Sequence, residues 1–85
     1  MNLRTVSSTS SWAALPNLPA RSGQVDILNS TGEDLQIRYA GETAAGQQIT
    51  IPNLGTVSLL VNSNASEVEI KATTGAAGVQ ILVTP

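Results

Sequence analysis

Hydrophobic and polar positions alternate with a period of two along most of the chain beyond residue 23. In residues 24–41, QVDILNSTGEDLQIRYAG, Val25 and Ile27 alternate with Gln24 and Asp26, and Leu35, Ile37 and Tyr39 alternate with Asp34, Gln36 and Arg38. Successive strand side chains point to opposite faces, so the pattern predicts two strands, each with one buried and one wet face. Asn29-Ser30-Thr31-Gly32 between them is turn chemistry, with Gly32 able to supply a positive φ, and the stretch reads as a β-hairpin. Four further runs follow. Residues 48–52 (QITIP) point Ile49 and Ile51 to one face and end at Pro52, which cannot donate to a ladder. Residues 56–62 (TVSLLVN) turn Val57, Leu59 and Val61 inward; residues 67–72 (EVEIKA) turn Val68, Ile70 and Ala72 inward; residues 79–84 (VQILVT) turn Val79, Ile81 and Val83 inward. Six short strands separated by turn signals predict an all-β fold, a small antiparallel sandwich or barrel over residues 24–85.

Residues 1–23 lack that alternation. A Ser/Thr run fills the first half, and Pro16 and Pro19 rule out a helix beyond one turn around Trp12, Leu15 and Leu18. The segment reads as an extended or flexible N-terminal arm. Composition alone fits a disordered tail. The alternative is an arm that docks in a groove on a partner, with Trp12, Leu15 and Leu18 as anchors, since aromatics are typical interface anchors.

Leu28, Leu60 and Leu82 break the outward parity of their strands. Either each packs under a loop or at a sheet edge, or together they form a self-association surface. Size bears on the choice. The chain has 85 residues, one Trp, one Tyr, no Phe and no Cys, so it has little large apolar surface and no disulfide to staple it. Association with its own copies or with a larger surface is the remaining source of support.

The candidate chemistry is sparse. With no His and no Cys, Ser-His-Asp and Cys-His catalysis and the usual zinc sites have no residues to work with. Glu33 and Asp34 are adjacent, which cannot flank a glycosidic bond from two sides. Glu67 and Glu69, with Asp26, offer oxygens for Ca²⁺, but Lys71 shares their face and no regularly spaced Asp-rich loop accompanies them. No cofactor or metal is expected, and the chain reads as non-enzymatic. A net charge of −2 with four scattered basic residues argues against nucleic acid as a partner. No run is long enough to span a bilayer, so no membrane partner is expected, and the N-terminus lacks a signal-peptide pattern, pointing to synthesis in a cytoplasm. Asn29-Ser30-Thr31 and Asn64-Ala65-Ser66 match the glycosylation tripeptide but serve equally as turns. Arg38 reads as a rim residue and Tyr39 as inward-facing.

Four stretches together resemble small virion-associated structural proteins of tailed bacteriophages. They are W-A-A-L-P-N-L-P-A from Trp12, V-D-I-L-N-S-T-G-E-D-L-Q-I-R-Y-A-G, I-T-I-P-N-L-G-T-V-S-L and A-S-E-V-E-I-K, which span Trp12 to Lys71. Asn53-Leu54-Gly55 lengthens the simpler Pro-x-Gly spacing of that pattern, and Ala20 stands where a Cys is often seen. The resemblance implies a capsid decoration or cement protein. Such a protein acts as a homo-oligomer, commonly a trimer, bound to the major capsid protein or another virion protein. Its location would be the virion, after synthesis in the bacterial cytoplasm. On that reading Trp12, Leu15 and Leu18 are arm anchors, and Leu28, Leu60 and Leu82 are subunit contacts. A neck, tail or fibre-attachment component, or a receptor- or carbohydrate-binding module, are the alternatives.

Overall fold

The inward positions of the alternating segments meet between two antiparallel sheets. The computed structural model describes residues 2–75 and 77–83. Its strands are β1 (Asn2–Ser7), β2 (Ala13–Ala14), β3 (Gln24–Asn29), β4 (Leu35–Tyr39), β5 (Ile49–Ile51), β6 (Thr56–Leu60), β7 (Val68–Ala72) and β8 (Ala77–Val83). They form two four-stranded sheets, ordered β1-β8-β3-β6 and β2-β7-β4-β5. The β4–β5 connection stays within one sheet, and all the others cross between sheets. This interleaved order is that of a jelly roll, an open sandwich rather than a closed barrel. Val25, Ile27, Val79, Ile81 and Val83 on one sheet face Leu35, Ile37, Ile51, Val68 and Ile70 on the other, all buried. Each such side chain contributes about 1.5–3 kcal/mol on leaving water.

The expected hairpin over residues 24–41 does not form. β3 pairs with β6 and β8, whereas β4 pairs with β5 and β7. Residues 29–34 are therefore an arch that carries the chain from one sheet to the other. Alternation fixes which face of a strand is buried, but it is silent on which neighbour the strand takes. The arch turns on Asn29, which has no exposed surface. Its Nδ2 donates to the carbonyls of Glu33 (2.8 Å) and Ile51 (2.9 Å), and its Oδ1 accepts from Thr31 N (3.1 Å) and Thr31 Oγ1 (2.7 Å). A buried amide with every bond made is cheap, and one with any bond missing is costly. Beside it, Gly78 at φ +105° brings β8 so close that a Cβ would lie 2.6 Å from the Ser30 carbonyl oxygen.

Residues 2–23 were expected to stand outside the domain, and the structure weaves them into it. β1 runs along β8 from Asn2↔Val83 to Ser7↔Ala77, and β2 pairs with β7 through Ala13↔Ile70 and Ala14↔Glu69. Eight strands thus replace the expected six. Beyond β2 the chain becomes a strap across one end of the sandwich. Leu15 N donates to Val68 O (2.9 Å), Ala20 N to Ser63 O (2.7 Å) and Leu18 N to Asn64 Oδ1 (3.2 Å). Pro16 and Pro19 suit this extended path, because each fixes φ and holds its predecessor extended. Among the described residues there are also two 3₁₀ turns, Ala45–Gln47 and Ala65–Glu67. Asn64 and Glu67 form a reciprocal capping box on the second, so the Asn64-Ala65-Ser66 tripeptide serves as a helix start.

Candidate functional site

Leu15 and Leu18, expected as arm anchors, are core residues with 3% and 6% of their surface exposed. They plug the end of the sandwich beside Ala20 and Ala65. An apolar side chain already buried in its own chain has no surface left to offer a partner. Trp12 behaves differently. It precedes β2 and stays partly exposed, on the outer face of the β2-β7-β4-β5 sheet. Its ring centroid lies 4.3 Å from the Arg38 guanidinium carbon and 5.2 Å from Lys71 Nζ. Both are cation–π distances. Arg38 is itself fixed: Nε pairs with Glu69 Oε1 at 2.8 Å, and Nη1 donates to the Glu42 carbonyl at 2.8 Å. The Arg38 side chain keeps only 14% of its surface, so the indole covers the guanidinium rather than the reverse. Arg38, expected at a rim, is the centre of a cluster linking β2, β4 and β7.

The three parity-breaking leucines lie on the outer face of the other sheet. Leu28 and Leu82 sit on adjacent strands and are partly covered, and Leu3, opposite Leu82 in β1, extends the patch with 76% of its surface exposed. Together they border a shallow depression of about 420 Å³ whose floor includes Asp26, Ser58 and Gln80. Leu60, 74% exposed, stands apart from this patch. It pairs with Gln24, two strand spacings and two residue rises from Leu82, roughly 12 Å. Tyr39 is half exposed rather than inward, and its hydroxyl donates to the Leu60 carbonyl at 2.7 Å. Leu3 was missed because β1 is an edge strand with polar or charged residues on both faces. Its one legible signal is the Leu3-x-x-Val6 spacing, which suits a helix face and points away from the strand that forms.

The carboxylates are structural pins held apart from one another. Asp26 accepts from Ser58 Oγ (2.6 Å) and Gln24 Nε2 (2.7 Å), and these bonds, Ser58 first, lower its pKa below the ordinary value. Glu33 accepts from Thr74 Oγ1, Thr74 N and Gly75 N, tying the arch to the β7–β8 loop, and the Thr74 hydroxyl leads the lowering of its pKa. Glu67 accepts from the amides of Asn62, Ser63 and Asn64, with Asn62 the largest cause of a lowered pKa. Among the described residues no group of three or more metal-ligating side chains comes together. No described helix is long and apolar enough to cross a membrane. Comparison with family models, with curated proteins and with solved structures finds no match.

Proposed function

We propose that this chain is a non-enzymatic structural protein of a tailed-phage virion. In this reading it decorates the capsid as a homotrimer whose subunits associate through the outer face of the β1-β8-β3-β6 sheet. The observation that carries the reading is the outward leucine patch of Leu3, Leu28 and Leu82. A chain this poor in large apolar residues turns Leu3 to solvent, and Leu28 and Leu82 in part, on one sheet, where covering them removes apolar area from water. The virion setting is supported by the resemblance of residues 12–71 to small phage structural proteins. The jelly-roll order adds an analogy of fold alone, since that roll recurs in viral capsid domains. Leu15 and Leu18 drop out as anchors because they are core. A trimer also multiplies a weak contact, because the second and third contacts are made at high effective concentration.

The test is the copy number of the protein relative to the major capsid protein in purified particles, by quantitative mass spectrometry. A ratio of the same order as the capsid protein is expected. A few copies per particle would transfer the protein to the neck, tail or fibre attachment. Absence from particles would overturn the virion reading.

A further inference from the structure

We infer that the outer face of the β2-β7-β4-β5 sheet is a carbohydrate-binding site, with Trp12 as the stacking platform for a pyranose ring. The inference is independent of the virion reading. Three features of that face carry it. The first is the indole itself, lying over Arg38 and Lys71 and keeping part of its surface open. The negative π-face of an indole attracts polarised C–H groups, which one face of a pyranose presents. The platform is rigid, because Arg38 is held by Glu69 and the Glu42 carbonyl and cannot retreat.

The second feature is a groove of about 360 Å³ on the same face, which shares Lys71 with the platform. It is lined by Ser10, Asp34, Gln36, Thr50 and Thr73 as well as Lys71. That set offers hydroxyls and an amide that both donate and accept, a carboxylate that accepts and an ammonium that donates. A polyhydroxylated ring needs such a mixture. A phosphate chain would need donors alone, and Asp34 together with the net charge of −2 opposes it.

The third is that these groups are unspent. Several polar side chains elsewhere are consumed by the fold, as with Asn29, Thr31, Glu33, Asn64 and Glu67. Among the described residues, the side chains of Asp34, Gln36, Thr50 and Thr73 make no hydrogen bond within the chain. Convergent polar groups beside an aromatic surface, with no structural employment, form a preformed recognition site.

The experiment titrates the full chain with maltotetraose, cellotetraose and chitotetraose, which present pyranose faces with different linkages and substituents. Trp12 is the only Trp, so a saturable change in emission reports directly on the platform. Calorimetry then compares Trp12→Ala and Gln36→Ala, each checked for wild-type circular dichroism. Gln36→Ala leaves the indole in place and tests the groove separately. The expected result is saturable binding of at least one oligosaccharide, weakened roughly tenfold or more by either substitution, about 1.4 kcal/mol or more. No saturable binding of any of the three overturns the inference, as does binding that survives Trp12→Ala. Light scattering supplies the remaining outcome. If Trp12→Ala converts an oligomer to single chains, the platform is a protein contact and the inference fails.

Discussion

Replacing Asn29 tests whether the arch between the sheets depends on one buried amide. Asn29→Ala removes four side-chain hydrogen bonds, two donated to Glu33 O and Ile51 O and two accepted from Thr31. The bond to Ile51 O is the fully buried one, and an orphaned buried acceptor costs about 1–3 kcal/mol. The other three are partly buried, so water replaces them in part, and about 0.5–1 kcal/mol each is a reasonable share. The total is about 2.5–6 kcal/mol. A domain of this length is worth about 4–13 kcal/mol, so the variant sits near the edge of folding. Asn29→Asp sharpens the test. Its carboxylate keeps the bonds from Thr31 but turns an anionic oxygen toward the carbonyls of Glu33 and Ile51. It should be less stable than Asn29→Ala near neutral pH. The buried carboxyl has its pKa raised by desolvation and by those carbonyls. Its penalty relative to wild type therefore shrinks as pH falls and the protonated group regains a donor. Urea unfolding of all three proteins at pH 7 and pH 4, by circular dichroism with linear extrapolation, measures both effects. If Asn29→Asp stays within about 1 kcal/mol of wild type at pH 7, or shows the wild-type pH dependence, the reasoning fails.

Leu54 is the one described residue other than glycine with a positive φ, at +69°, and 70% of its surface is exposed. A left-handed backbone costs a branched residue about 1–2 kcal/mol, and glycine gives part of that back as unfolded-chain entropy, so Leu54→Gly should stabilise by up to about 1 kcal/mol. The thermal midpoint checks it, with a rise of about 4–8 °C per kcal/mol. Asp26, Glu33 and Glu67 all have lowered pKa values, so their contribution is complete above the unfolded carboxylate range and is lost on acidification. Stability should be flat above roughly pH 5 and fall as pH drops through about 4 and below, and Glu67→Gln should flatten that fall in an acid titration. Arg38→Ala removes the platform beneath Trp12 and should shift its emission to the red as the ring gains solvent, at a stability cost of about 1–2 kcal/mol. An unchanged emission maximum would refute the stacking assignment.

The strands from β3 onward were legible because Val, Ile and Leu alternate with polar residues, and that alternation marks a half-buried strand. Strand pairing was not legible, and the arch at Asn29 carries a hairpin's signature because the same turn residues serve both. β1 escaped because an edge strand needs few apolar residues, and NLRTVS carries polar side chains on either face. β2 escaped because two alanines give no period at all. The parity of Leu28, Leu60 and Leu82 was correct, yet their clustering depends on strand order, which separates Leu60 and brings Leu3 in. Trp12 was legible as a residue that needs a contact. That its contact is Arg38, twenty-six positions on, is a product of the β2-β7-β4 neighbourhood and is invisible in the spacing.

The self-association face is tested most directly by the mass of the protein in solution, measured by light scattering across concentration for wild type and for Leu82→Asp. The account predicts three times the single-chain mass of 8.8 kDa for wild type, and a single-chain mass for the variant, whose carboxylate would be buried against its partner. A wild-type mass of 8.8 kDa at every concentration, or an oligomer untouched by the substitution, would contradict it.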